Sequence, residues 1–267
     1  MTVDLFAIRS VLFLPASNPR AIEKARASAA DMVVLDLEDA VKPDDKATAR
    51  SAALEAAAGE WPMPVAIRVN AIGSEWNSLD VEAVSRSTAA LAVVPRAASP
   101  LTFREVRDAI RKPTLAMIET AAGVLAAAEI ASEAAALIAG TNDLSADLRL
   151  PPKAGRPPLQ TALQMTVLAA RAAGVPVFDG VFNDLEDLNG FTAQCCEGRA
   201  LGFDGKSLIH PSQIEPCNRA FLPTPEEVER ARRLVEAYGG GAERFEGQMI
   251  ERMHVASAQR VIERARG

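Results

Sequence analysis

Acids and arginines recur in this chain where short apolar runs finish. Asp36-Leu37-Glu38-Asp39 closes one run and Arg68-Val69-Asn70 the next, and Pro95-Arg96, Glu119-Thr120 and Thr141-Asn142-Asp143 close three more. A single acid at such a place reads as an N-cap for a following helix, and Asp143 alone admits that role. Five run ends bearing charge ask for more, because buried carboxylates need a metal or an arginine to offset them. Glu119 and Asp143, on neighbouring strands of a barrel, approach one hard cation from adjacent sides and leave positions for water and substrate oxygens, an arrangement that suits magnesium. His210 and His254 are the only histidines, so a multi-histidine centre is excluded and any metal is held mainly by oxygen. Arg68 offers a planar fork suited to a substrate carboxylate, or else a salt bridge to Asp36 or Glu38, and one residue can do both.

The elements that must carry these residues are legible as an alternation. Runs of strand length, Val11–Ala16, Met32–Leu37, Val65–Val69, Leu91–Pro95, Thr114–Ile118, Ala136–Gly140, Val175–Asp179 and Gly205–Ile209, are each followed by a longer, Ala-rich, helically spaced stretch. Continuous apolar character implies strands buried on both faces. Asn18 and Pro19 predict a helix over Pro19–Ala30, and Ser99-Pro100 precedes one over Thr102–Arg111 that stops before Pro113. Eight such units in 267 residues predict a closed (β/α)8 barrel, with an open doubly wound sheet as the alternative; no glycine-rich phosphate turn follows the first strand. Barrel enzymes place their chemistry at the C-terminal ends of the strands, where the charges gather.

Past Pro211 the pattern changes. A helix is expected from Thr224-Pro225-Glu226-Glu227 through Tyr238, then a break at Gly239-Gly240-Gly241, then a helix over Val255–Ala265. The expected domains are thus a catalytic barrel, 1–222, and a helical extension, 223–267, either a packing appendage or a flap that swings on the glycines. A net charge of −6 without a basic stripe excludes a nucleic-acid surface. No apolar stretch is long enough to cross a bilayer, and Met1 to Ser10 lacks the parts of a secretory leader, so no membrane association and a cytoplasmic location are expected. Cys195, Cys196 and Cys217 have neither CxxC spacing nor an even count and are read as reduced thiols.

The segments Arg9-Ser10-Val11-Leu12-Phe13-Leu14-Pro15, Leu35-Asp36-Leu37-Glu38-Asp39-Ala40-Val41, Ile67-Arg68-Val69-Asn70, Ile118-Glu119-Thr120-Ala121 and Ile209-His210-Pro211-Ser212-Gln213-Ile214 resemble the citrate lyase β-subunit family of the wider HpcH/HpaI aldolase superfamily. The resemblance extends from Arg9 to about Val255. It implies a trimeric or hexameric barrel that acts on small acyl-coenzyme A thioesters. In it Glu119 and Asp143 ligate Mg²⁺, Arg68 and Glu119 hold the acyl substrate, and Phe13, Lys24 and His210 lie at the coenzyme A site. Glu38 and Asp39 orient the arginine or relay protons. The implied reaction is a reverse Claisen cleavage of a malyl-, citramalyl-, β-methylmalyl- or citryl-CoA type thioester to acetyl- or propionyl-CoA and a 2-oxo acid.

Three positions depart from that pattern. Asn142 stands where many relatives have a second acid, Ala122 where they often have arginine, and Glu251 in Gly247-Gln248-Met249-Ile250-Glu251 where lyases carry a flap aspartate that serves the neighbouring subunit's site as acid/base. Glu251 keeps the carboxylate and is one methylene longer; His254 either shares its helical face and tunes it or is a surface residue. Leu148–Pro158, with Arg149, Lys153 and Arg156 among four prolines, is expected as a loop whose basic residues meet the coenzyme A phosphates or are simply solvated. Asp179 and Asn183 are placed near the mouth, and Lys206 as a salt-bridge partner inside the barrel. The alternatives to a lyase are a malyl-CoA-type thioesterase, an aldolase acting on free 2-oxo acids, and a non-catalytic CoA-ester-binding subunit. The second uses a histidine near the first strands, and none precedes His210.

Overall fold

The computed structural model describes residues 3–265; positions 1–2 and 266–267, the start of the N-terminal stretch and the outer ends of the two expected domains, lie outside the described residues. The eight apolar runs form eight strands: β1 Ser10–Pro15, β2 Met32–Asp36, β3 Val65–Arg68, β4 Leu91–Val94, β5 Thr114–Ile118, β6 Ala136–Ala139, β7 Val177–Asp179 and β8 Gly205–Leu208. They pair in chain order, all parallel, and β8 closes on β1. The expected (β/α)8 barrel is therefore the observed one. The surrounding helices are α1 Pro19–Arg26, α2 Lys46–Ala58, α3 Asn77–Arg86, α4 Pro100–Ile110, α5 Ala121–Leu125, α6 Ala127–Ala131, α7 Thr141–Asp147, α8 Gln160–Ala173 and α9 Leu188–Leu201, with α10 Ile214–Phe221 after β8.

The period of two along each strand explains how the core and the rim are made from the same rows of side chains. Val11, Val34, Ala66, Met117, Ile138 and Phe178 fill the barrel interior. Two residues on, those rows continue as Phe13, Asp36, Arg68, Glu119, Gly140 and Gly180, so apart from Phe13 the interior column ends in polar or small residues at one mouth.

Helix limits follow caps more closely than periodicity. Asn18 Oδ1 accepts from the Ala21 N–H at 3.1 Å, as expected, but α1 ends at Arg26 and not at Ala30, because Ser28 Oγ takes the Ala25 carbonyl at 2.7 Å and turns the chain. Ser99 caps α4 at Pro100, two residues ahead of the expected start, and Arg111 ends it in the left-handed region at φ 59°.

A second compact unit begins at Arg219, inside α10. It comprises α11 Pro225–Ala237, a hairpin of β9 Glu243–Phe245 and β10 Gln248–Ile250, and α12 Arg252–Arg264. Thr224 and Glu227 cap α11 reciprocally. Ala231, Leu234, Ile250 and Ala258 form its buried core. The hairpin is absent from the sequence expectations. Its two-residue turn, Glu246 at φ 48° and Gly247 at φ 82°, has the paired positive φ of a tight hairpin, and Arg230 and Arg233 each reach the Glu246 carboxylate at 2.8 Å. Among the described residues no helix is long and apolar enough to cross a membrane.

Candidate active site

Asp36 and Arg68 are register partners at the ends of β2 and β3, which brings a carboxylate and a guanidinium side by side. Arg68 Nε and Nη2 donate to the two Asp36 oxygens at 2.6 Å each, and Nη1 lies 2.9 Å from Glu38 Oε2 and 3.9 Å from Asp39 Oδ2. The same Nη1 is 3.6 Å from Met117 Sδ, and the Phe13 ring centre is 5.4 Å from the guanidinium carbon. The salt-bridge role anticipated for Arg68 is thus real, and the residue also lines the cavity described below. Burial opposes its charge, but Asp36, Glu38 and Glu119 outweigh that and hold it protonated. Asp36 in turn accepts from the Glu38 and Ala40 N–H groups, and the buried Lys46 Nζ donates to the carbonyls of Leu37 and Glu38 at 2.7 Å and to Asn70 Oδ1 at 2.6 Å. The loop carrying Glu38 and Asp39 is pinned from both sides.

Across the mouth, Glu119 at the end of β5 is 2% exposed and accepts the Arg96 N–H at 2.6 Å. Burial raises its pKa to about 7, with Asp143 and Asp39 adding to the rise against the Arg96 amide and Arg68. Glu38 is pushed up to about 8, again by burial first, with Asp39, Glu119 and Asp36 reinforcing it against Arg68. Asp143 sits in the first turn of α7; Gly140 occupies the cap position, so the capping role open to Asp143 is not the one it takes. Its Oδ1 pairs instead with Arg96 Nη1 at 3.0 Å. Arg96 adopts φ 50°, and that left-handed turn aims its N–H at Glu119 while its side chain reaches Asp143.

Phe13, Asp36, Asp39, Arg68, Met117, Glu119, Asn142, Asp143, Asn183 and Ser207 are among the residues lining one cavity of about 400 Å³. A second cavity, of about 430 Å³, is lined by Phe13, Lys24 and His210 together with Arg20 and Asn18, and shares Phe13, Leu14, Pro15 and Ile209 with the first. His210 Nδ1 accepts the Ser212 N–H at 3.2 Å. Glu251 lies in the second unit at the start of α12, where its N–H donates to His254 Nδ1 at 3.0 Å.

The donor chemistry at Glu119 and Asp143 fits a hard divalent ion. Both are carboxylates lining one cavity, and Gly140 leaves the space that Glu119 needs, since a Cβ there would fall 2.2 Å from Glu119 Oε2. Among the described residues no group of three or more His, Cys, Asp or Glu is arranged to hold a metal, so an ion held by Glu119 and Asp143 would take its other ligands from water or substrate.

Three charged residues, Arg156, Asp179 and Lys206, lie elsewhere than the expected places. Arg156 does not face a ligand: Nη2 donates to both Asp179 oxygens at 3.0 Å, and Nε lies 3.1 Å from Glu197 Oε2. Asp179 is fully buried and away from the mouth, paired with Lys206 at 3.0 Å. Lys206 has the salt bridge expected of it, but on the helix side of the sheet, where it also donates to Gln194 Oε1 of α9 at 2.7 Å. Burying these charges requires the pairing, which sequence position alone does not display. Asn183 does reach the mouth and exchanges side-chain hydrogen bonds with Asn142 at 2.7 and 3.2 Å. Ser207 is absent from the sequence expectations, whereas Arg96 is at the mouth where its run end placed it. The Pro95-Arg96 strand end was visible, but the backbone twist that gives it two bonds was not.

Compared with known proteins, residues 9–211 match the family described as HpcH/HpaI aldolase/citrate lyase, and residues 158–267 match one described as C-C bond lyase of the TIM-barrel fold. A (3S)-malyl-CoA thioesterase of Cereibacter sphaeroides (strain ATCC 17025 / ATH 2.4.3) is 40% identical across 96% of this chain and 94% of its own. Citrate lyase subunit beta of Escherichia coli (strain K12) is 33% identical across 96% of this chain and 93% of its own. Among solved structures, CitE of Mycobacterium tuberculosis in complex with magnesium, acetoacetate and coenzyme A matches with a TM-score of 0.88 at 33% identity, covering 98% of this chain and 100% of that one.

Proposed function

The chain belongs to the HpcH/HpaI aldolase/citrate lyase family, and we propose that it is a Mg²⁺-dependent carbon–carbon lyase that cleaves or forms a short 3-hydroxyacyl-CoA thioester of the malyl, citramalyl, β-methylmalyl or citryl type. The products of cleavage are acetyl- or propionyl-CoA and a 2-oxo acid. The observation that carries this reading is the meeting, in one 400 Å³ cavity, of a buried, doubly clamped Arg68 with the carboxylates of Glu119 and Asp143.

In this reading Glu119 and Asp143 hold Mg²⁺, which when bound stabilises negative charge developing on substrate oxygen. Arg68, unable to lose its proton, binds the acyl carboxylate as a fixed charge and needs no reorganisation during the reaction. Asp36, Glu38 and Asp39 keep its fork aimed, and the raised pKa of Glu38, about 8, supports a role in holding or passing a proton. The hydroxyl of the substrate loses its proton, the bond to the thioester α-carbon breaks, and that carbon is protonated. Phe13, Lys24 and His210 receive coenzyme A, with Lys24 and the adjacent Arg20 suited to its phosphates. The second unit acts as a lid, and Glu251 supplies an acid/base carboxylate to a neighbouring copy in a cytoplasmic homotrimer or hexamer.

A second reading, hydrolysis of a malyl-CoA-type thioester, is favoured by the higher identity to (3S)-malyl-CoA thioesterases than to citrate lyase subunits. Product analysis separates the two. (3S)-Malyl-CoA with Mg²⁺ should give acetyl-CoA and glyoxylate from a lyase, and free CoA with malate from a thioesterase. Glu119→Gln should lower either activity by on the order of 10²-fold or more. If a panel of such thioesters stays intact with metal present, neither reading survives.

A further inference from the structure

Ser207 stands in β8 opposite Val11, whose side chain belongs to the barrel interior, and register partners on adjacent parallel strands face the same side. Lys206, its neighbour, faces the other way, toward α9. Ser207 therefore points inward, and it lines the cavity that also holds Arg68, Met117 and Glu119. It is 2% exposed, and its Oγ has no hydrogen-bond partner among the described residues.

A buried hydroxyl without a partner is costly, and an alanine or valine would avoid the cost. The neighbouring polar groups are already engaged: Arg68 on Asp36 and Glu38, Glu119 on the Arg96 amide. What the Ser207 hydroxyl lacks is an oxygen inside the cavity to which it can donate. We propose that Ser207 is a substrate-contacting residue whose Oγ donates a hydrogen bond to an oxygen at the inner end of the acyl group, selecting thioesters that end there in a carboxylate over those that end in a methyl. This rests on the acyl-CoA reading above and deepens it, adding Arg68's charge and Ser207's hydroxyl as two recognition points for one end of the substrate.

The test compares wild type with Ser207→Ala by calorimetric titration of metal-free protein. The probes are (3S)-malyl-CoA and 3-hydroxybutyryl-CoA, which carry a carboxylate and a methyl respectively at the inner end. Ser207→Ala should weaken malyl-CoA binding about 10-fold or more. It should change 3-hydroxybutyryl-CoA binding less than about 2-fold and leave the melting temperature equal or higher, since an unsatisfied polar group has been removed. Equal effects on both ligands, no effect, or a lower melting temperature with general loss of binding overturns the assignment. Wild type that binds neither thioester overturns it together with the acyl-CoA reading. Selective binding in a wild type that converts neither thioester with Mg²⁺ overturns the reaction and leaves Ser207 assigned.

Discussion

Arg96 holds both rim carboxylates through two different groups, its amide on Glu119 and its guanidinium on Asp143. For a residue with a Cβ, φ 50° costs about 1–2 kcal/mol, a strain that is offset only where the geometry is used. Its side chain is half exposed, so the pair with Asp143 is worth under about 1 kcal/mol. That charge nevertheless competes with any cation at the same carboxylate. Arg96→Gly keeps the backbone turn and the N–H while removing the competitor, and should tighten Mg²⁺ binding up to about 5-fold by titration calorimetry. Arg96→Ala should tighten it equally but remain less stable than Arg96→Gly by about 1 kcal/mol. Weaker Mg²⁺ binding in both would remove Arg96 from this account. At this scale the sequence revealed which residues carry charge and roughly where, as with Glu119, Asp143 and Arg68. It could not reveal which charges pair with each other: Arg156, expected either to meet a phosphate or to be solvated, is buried on Asp179, a residue 23 positions away in sequence.

Strands such as β2, β4 and β5 were readable because they are buried on both faces, which favours an almost unbroken apolar run; β8, with Lys206 and Ser207 at its centre, departs from that rule. Caps were readable as well, Asn18 and Ser99 being the types that satisfy free N–H groups. The hairpin of β9 and β10 was not, because its strands are three residues long and only Ile250 is buried, leaving no alternation to detect. Between β6 and α7 a single glycine carries a functional constraint. A side chain at Gly140 would collide with Glu119 at both Oε2 and Cβ, groups that cannot retreat within a packed interior. Gly140→Ala should therefore displace the Glu119 carboxylate and weaken Mg²⁺ binding by at least about 10-fold. The barrel's far-ultraviolet circular dichroism should stay unchanged. Wild-type Mg²⁺ affinity in that variant would show that Glu119 is not held where the ion binds.

For the whole molecule, the carboxylates gathered at one mouth make folding depend on pH. Glu119 and Glu38 have folded-state pKa values of about 7 and about 8, raised above the ordinary 4.5 chiefly by burial. Between about pH 5 and 7 the folded protein thus keeps two protons that the unfolded chain releases, so stability falls as pH rises, by about 1.4 kcal/mol per pH unit for each group. The stabilisation is complete below the unfolded value and is lost as pH passes the two folded values. A divalent ion on Glu119 reverses the sign for that group, because the folded state then favours its ionised form. In EDTA the melting temperature should fall from pH 5.5 to pH 8, Mg²⁺ should raise it more at pH 8 than at pH 5.5, and Glu119→Gln should both flatten the decline and abolish the Mg²⁺ effect. Differential scanning fluorimetry across that range measures all three. A melting temperature that climbs with pH in EDTA would mean that Glu119 and Glu38 are not held protonated by burial, and a Mg²⁺ shift that is the same at both ends would mean that Glu119 does not hold the ion on which the proposed chemistry depends.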